Sequence, residues 1–144
     1  MLFPISLSNN HIVYMQGEIF YGSFVVIAEM DKFLSHVHTS VYFELEHSNI
    51  KYQNCTKSFD NSKAYPIPLS RSGMFYDYEK DGKRSFCMGD GITRIQFLKD
   101  NGAKYFPIFC PIYQFREFLS KIGRFSRPIT RPVRSSSEVL FREF

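Results

Sequence analysis

The sequence predicts an α+β domain, β-rich, with antiparallel twisted sheet, a C-terminal amphipathic helix packed on one face and a flexible Arg/Ser/Pro tail. Three observations predict it. Aromatic residues are 17% of the 144, sixteen Phe and nine Tyr without Trp, an excess that favours strands. Residues 74–109 alternate in polarity between glycine-containing turns. Residues 112–122 repeat apolar side chains at three- and four-residue spacing.

In chain order, residues 2–10 mix apolar residues with Ser and Asn and read as an irregular arm. Residues 11–20 read as a strand interrupted by Gly17, which marks a bulge or a close backbone approach. After a turn at Tyr21-Gly22-Ser23, residues 23–29 form a buried strand, because Phe24, Val25, Val26 and Ile27 are continuous and mostly β-favouring. Residues 30–37 read as one or two helical turns, with Phe33, Leu34 and Val37 on one side. Val41, Phe43 and Leu45 alternate with Tyr42, Glu44 and Glu46, predicting a half-buried strand over 40–46. Ser48-Asn49 then turns it into a hairpin partner over 50–56. Residues 57–73, rich in Ser, Asn, Asp and Pro, read as a long surface loop between two halves.

The core unit comes next. Met74, Tyr76 and Tyr78 alternate with Phe75, Asp77 and Glu79, and Asp81-Gly82 supplies a hairpin turn into a return strand over 83–88. Gly89-Asp90-Gly91 reads as a second turn, preferred to a phosphate loop because no helix is expected after it. Residues 92–98 read as a third strand, with Thr93, Ile95 and Phe97 inward and Arg94 and Gln96 solvated. Asp100-Asn101-Gly102 makes a third turn, and 103–109 a fourth strand, placed at a sheet edge by Pro107. Pro111 suits the first position of a helix whose stripe is Ile112, Phe115, Phe118, Leu119 and Ile122, with Gly123 as its stop. This gives one domain over 1–123 and a basic tail over 124–144.

The charge is uneven. Five arginines against two glutamates leave +3 of the net +4 in residues 124–144. That segment cannot bury enough apolar surface to fold alone, although residues 139–144 restore hydrophobicity and suit docking on a partner. The longest apolar run, 24–28, is too short to span a bilayer. Residues 1–7 show no secretory pattern, so a cytoplasmic setting is expected, with Cys55, Cys87 and Cys110 as reduced thiols.

Chemistry-bearing motifs are sparse. His36 and His38 form a His-x-His pair without an evident third ligand. Cys87 or Cys110 as nucleophiles need a positioned base that the sequence does not identify. No cofactor or metal is therefore expected, and a non-enzymatic role is preferred. Lys83, Arg84, Arg94 and Lys104 lie on the core unit among Tyr76, Tyr78 and Phe75. With Arg124, Arg127, Arg131 and Arg134 of the tail they make the candidate surface for single-stranded nucleic acid: cations for phosphates, rings for unstacked bases. The plainer account is that the cations solubilise the sheet and the rings face a second layer.

Four strands followed by a helix carrying Phe115-Arg116-Glu117-Phe118-Leu119 make residues 74–122 similar to the PUR/PC4-like single-stranded nucleic-acid-binding fold, whose closing helix carries a comparable run. The resemblance implies DNA or RNA binding across the sheet, and a homodimer or an internal pairing with the first half. The alternative from the residues alone is a protein-interaction module, a viral or phage-type inhibitor, adaptor or assembly subunit docking through its C-terminal tail.

Overall fold

The computed structural model describes residues 1–18, 23–38, 43–80 and 82–125. Strands β1 (Leu2–Ser6), β2 (Ile12–Gln16) and β3 (Ser23–Glu29) precede helices α1 (Met30–His36) and α2 (Ile50–Asp60). Strands β4 (Ile67–Pro68), β5 (Ser70–Lys80) and β6 (Lys83–Asp90) come after them. Helix α3 (Ile92–Asp100), strand β7 (Tyr105–Pro111), a 3-10 turn (Ile112–Gln114) and helix α4 (Phe115–Ile122) complete the order. The fold is α+β. Its two sheets are mixed rather than wholly antiparallel, in the orders β1-β2-β4 and β3-β7-β5-β6, with β2–β4 and β5–β7 parallel.

The N-terminal arm is a regular strand, contrary to expectation. Phe3 and Ile5 point inward, and Asn10 at φ 65° makes the tight connection to β2. Asparagine tolerates that left-handed conformation better than most side chains do. Gly17 is a close approach, as its position in the sequence suggests: a Cβ there would stand 2.8 Å from the Phe109 ring and 3.0 Å from Leu69. The small sheet thus packs on one face of the large one. On the opposite face α1 and α4 lie against each other and against the strands. Phe33 there meets Phe86 and Phe106 edge-on at 5.6 and 5.1 Å, and Phe118 packs on Phe75 at 4.5 Å.

Strand β3 and helix α1 appear where the sequence places them. Three predicted strands do not. Residues 50–56 belong to α2, whose Asn49 cap accepts a hydrogen bond from the Lys51 N–H at 2.9 Å. Tyr52 and Phe59 are its buried anchors, one heptad apart on the same face. Of the strand expected over 40–46, residues 40–42 lie outside the described residues and 43–46 are not strand. The loop expected over 57–73 contains the end of α2, β4 and the start of β5.

The third strand of the expected meander is also a helix. Residues 92–98 fall in α3, where Thr93, Ile95, Gln96, Phe97 and Leu98 are all buried. Gln96, expected in solvent, is 3% exposed and exchanges hydrogen bonds with the backbone of Leu45, accepting at 3.1 Å and donating at 2.8 Å. The element order that carried the likeness to the PUR/PC4-like unit is therefore β5-β6-α3-β7-α4 here.

Strand β7 is central, not an edge. Pro107 pairs with Ile27, whose carbonyl turns away from β7 to accept from Arg124 N–H at 2.7 Å. In an antiparallel ladder that makes Ile27–Pro107 a pair without mutual hydrogen bonds. The missing N–H of Pro107 thus faces β5, whose pairing begins one residue later, at Ile108. Pro111 ends β7 and caps the 3-10 turn; α4 itself begins at Phe115. Phe118 and Ile122 of the predicted stripe are fully buried, whereas Ile112 and Phe115 remain about two-fifths exposed, at 43% and 39%. Gly123 caps α4 and pairs with Ala28, so the first tail residues run along the edge of β3. No helix among the described residues is long and apolar enough to cross a membrane.

Candidate functional site

Backbone geometry at the end of β6 shapes a concavity. Gly91 adopts φ 79° as the cap of α3, and Ser70 Oγ donates to its carbonyl at 2.8 Å. A Cβ at Gly91 would lie 2.5 Å from that hydroxyl and 2.8 Å from Arg94 Nη1, so the position has room only for glycine. Without a capping side chain, the first N–H groups of α3 face outward with the positive end of the helix dipole.

They face a cleft of about 620 Å³. One wall is residues 87–94; the opposite wall is Lys51, Asn54, Cys55 and Ser58 of α2, with His38, Ile67 and Pro68 completing the rim. Thr93 lines this cleft at 5% exposure, and its Oγ1 has no hydrogen-bond partner among the described residues. A buried hydroxyl left unpaired costs on the order of 1–3 kcal/mol. Lys51 and Arg94 bring two positive charges against the single carboxylate of Asp90. An anion with several acceptor oxygens suits this lining, which brings the start of a helix, a threonine and a lysine to one cleft. Phosphate has those properties.

The predicted nucleic-acid residues do not share one face. Arg84 stands 2.8 Å from Asp77 and 3.0 Å from Glu117, so carboxylates absorb its charge. Arg124 lies over the Tyr105 ring at 4.0 Å. Lys104 is exposed but outside the cleft lining. Arg94 lines the cleft, and its Nη1 also donates to the carbonyls of Pro68 and Leu69 at 3.3 Å each. Tyr76, 37% exposed, reaches the rim through Cys87. The side chains of Tyr78 and Lys83, and all of Arg127, Arg131, Arg134 and residues 139–144, lie outside what the structure describes. An open sheet face is confined to the β5–β6 half, because residues 24–28 of β3 and 106–110 of β7 are buried on both sides.

Sequence reasoning missed Lys51, Asn54 and Thr93. The Asn49 cap signal and the 52–55–56–59 spacing of α2 were available to find the first two. It also weighed Cys87 without a base, and the fold supplies one: His38 Nδ1 is 3.7 Å from Cys87 Sγ, and Tyr76 Oη is 3.1 Å away. His36 turns elsewhere, to the Lys32 carbonyl at 3.0 Å on its own helix, so the two histidines serve different partners. All three thiols are unpaired. Burial pushes Cys55 up to about 11 and Cys110 up to about 12. Around α3 a second cluster is structural: Asp100 accepts from Tyr52 at 3.1 Å and contacts His47 at 3.0 Å, and burial, reinforced by Asp100, pushes the Tyr52 phenol well up.

No family model and no curated protein matches the chain. Among solved structures it is similar to the crystal structure of the oncogenic suppression activity protein, a plasmid fertility inhibition factor, in a gold(I) cyanide derivative. The TM-score is 0.72 at 17% identity, over 98% of this chain and 76% of that one. At that identity the likeness is one of fold.

Proposed function

We propose that this protein binds a phosphate-bearing ligand in the cleft between α2 and the N-terminus of α3, and that the ligand class is single-stranded DNA or RNA, bound without catalysis. The observation that carries the reading is the unpaired, buried Oγ1 of Thr93 beside uncapped helix N–H groups and Lys51. A strand seating one phosphate there would bring a neighbouring base toward Tyr76 on the β5–β6 face, where a half-exposed ring can stack. Two of the cations first considered contribute less, because Arg84 of the sheet and Arg124 at the start of the tail are engaged within the fold.

The test is an anisotropy titration with labelled single-stranded oligonucleotides at about 50 and 200 mM salt. Binding should weaken with salt, and Lys51→Ala should lower the log–log slope by about 0.7, the share of one phosphate contact on a single strand. Thr93→Val, which keeps volume and removes the hydroxyl, should weaken binding with the slope unchanged. Absence of binding at low salt, or wild-type affinity in both variants, would sink the reading.

A second reading is a protein-directed inhibitor or adaptor. Two observations favour it: the fold likeness to a plasmid fertility inhibition factor, and the exposure of Tyr113 (84%) beside Ile112 and Phe115. It expects Tyr113→Ser to lose a protein partner that the wild-type chain retains in a pull-down, with oligonucleotide affinity unchanged. Equal retention by both would count against it.

A further inference from the structure

We propose that Cys87 is a thiol-modification site, forming a mixed disulfide with a small anionic disulfide, of the glutathione disulfide class, whose carboxylates dock at the N-terminus of α3. The proposal rests on the anion-binding reading of the cleft for its ligand class, and on separate geometry for its nucleophile.

That geometry is built from the backbone. Val37 pairs with Phe86 in a parallel bridge, and the His38 N–H donates to the Phe86 carbonyl at 2.8 Å. The imidazole is thereby held beside the next residue of β6, with Nδ1 3.7 Å from the exposed Cys87 sulfur. Tyr76 Oη, at 3.1 Å on the other side, is placed to donate to a thiolate as it forms. Cys87 and Thr93 line the same cleft, and the extended chain from Cys87 to Gly91 covers at most roughly 13 Å. In glutathione the sulfur is on the central residue: across a mixed disulfide the two Cα atoms stand roughly 5.5 Å apart, and the γ-glutamyl arm adds roughly 7 Å, so its carboxylate reaches about as far from Cys87 as the helix terminus lies. The unpaired Thr93 hydroxyl is the second donor for that carboxylate.

Cys87 also differs from the other two thiols. Cys55 lines the cleft but is partly buried, and burial holds its thiol up to about 11. Cys110 is 1% exposed. Cys87 is the exposed thiol, and it is the one beside a base.

In the step itself, His38 Nδ1, acceptor in the Nε2–H tautomer, takes the Cys87 proton. The thiolate attacks one sulfur of the disulfide, a new S–S bond forms and the old one breaks. The departing sulfur leaves with the electron pair and recovers the proton from His38. The small disulfide is the oxidant, reduced to one thiol as Cys87 is oxidised.

The experiment uses the full chain, pre-reduced and freed of reductant. It is treated in parallel with glutathione disulfide (anionic), dithiodiethanol (neutral) and cystamine (cationic), and followed by intact-mass and peptide-mapping mass spectrometry. Modification should fall on Cys87 first, with the anionic reagent faster than the cationic one by about tenfold, slowed by added inorganic phosphate. His38→Asn and Tyr76→Phe should each slow all three reagents, with melting curves recorded to confirm folding. Modification of Cys55 before Cys87, or Cys87 rates unaffected by both variants, would overturn the thiol site. Oligonucleotide binding by the reduced wild-type chain would survive that result. A His38-dependent reaction with no preference among the three charges, unmoved by phosphate, would instead overturn the anionic ligand class and the anion-binding reading with it.

Discussion

Gly91 offers the sharpest test of how the cleft is built, because a second glycine serves as its internal control. Gly91 and Gly82 have nearly the same φ, 79° and 77°, so replacing either with alanine forces the left-handed conformation on a Cβ. That cost is about 1–2 kcal/mol. At Gly82 nothing lies within 4 Å of the added carbon, and the cost ends there. At Gly91 the Cβ would meet Ser70 Oγ at 2.5 Å, and that hydroxyl belongs to a fully buried side chain that donates to the Gly91 carbonyl. Displacing it strands a buried donor, adding about 1–3 kcal/mol. Gly91→Ala should therefore be less stable than Gly82→Ala by about 1–3 kcal/mol, read as a lower urea midpoint at unchanged m-value. Oligonucleotide affinity should fall in Gly91→Ala and hold in Gly82→Ala. Equal midpoints for the two variants would refute the claim that Ser70 and Gly91 lock the start of α3.

The packing and the buried thiols lead to three further outcomes. The Cys110 thiol is held up to about 12 by burial against 9.0 in the unfolded chain, so above pH 9 the unfolded state binds fewer protons and stability falls as pH rises toward 12. The slope is about 1.4 kcal/mol per pH unit from this group, and Cys110→Ala should flatten it in melting curves between pH 9 and 10.5; an unchanged slope contradicts the assignment. Phe33→Ala removes a fully buried ring from between Phe86 and Phe106 and should cost about 3–5 kcal/mol in urea unfolding, whereas Phe115→Ala, at a partly exposed position, should cost well under half of that. Asn49→Ala removes the α2 cap and should cost about 1 kcal/mol by the same assay, with a neutral result showing that α2 is set by its packing alone.

Legibility tracked the physics of each segment. Strand β3 was readable because both its faces are buried, and a continuous run of Phe24 to Ile27 has few other uses at that length. The turns around Gly82, Gly91 and Gly102 were readable because all three glycines take positive φ. Helix α3 was not. Its residues Ile92, Thr93, Ile95 and Phe97 favour strands by propensity, and its burial on several sides leaves no polar stripe to betray a helical period. Helix α2 was hidden for the opposite reason: it is mostly polar and Tyr52 and Phe59 are its only buried residues, and Ser48-Asn49 looked like a turn rather than a cap. In both cases contacts with the rest of the fold decide what local preference leaves open. The cleft inherits both errors, since α2 and α3 are its two walls. Cys87 and His38 could not be paired from sequence at all, because they lie 49 residues apart and are joined by the Val37–Phe86 bridge.

Turn chemistry stops being informative at Gly89-Asp90-Gly91. Glycine permits the positive φ of a tight hairpin and equally the φ of 79° that Gly91 takes at the start of α3, so it reports the bend and not the element beyond it. That next element decides the chemistry. A returning strand would have spent its N–H groups in a ladder, whereas α3 leaves its first ones pointing into a cleft. Counting charges meets a similar limit. Arg84 of the core unit is engaged by carboxylates and Arg124 of the tail lies over a ring, so the cation count overstates what a polyanion would meet. If the cleft does the binding, the phosphate contacts number one or two and the salt dependence is shallow, with a log–log slope of about −0.7 to −1.4. If the five arginines at positions 124–142 dominate instead, the slope approaches about −3.5 and Thr93→Val leaves it and the affinity unmoved. The slope, read together with that one hydroxyl, separates a structured phosphate site from a basic segment that attracts any polyanion.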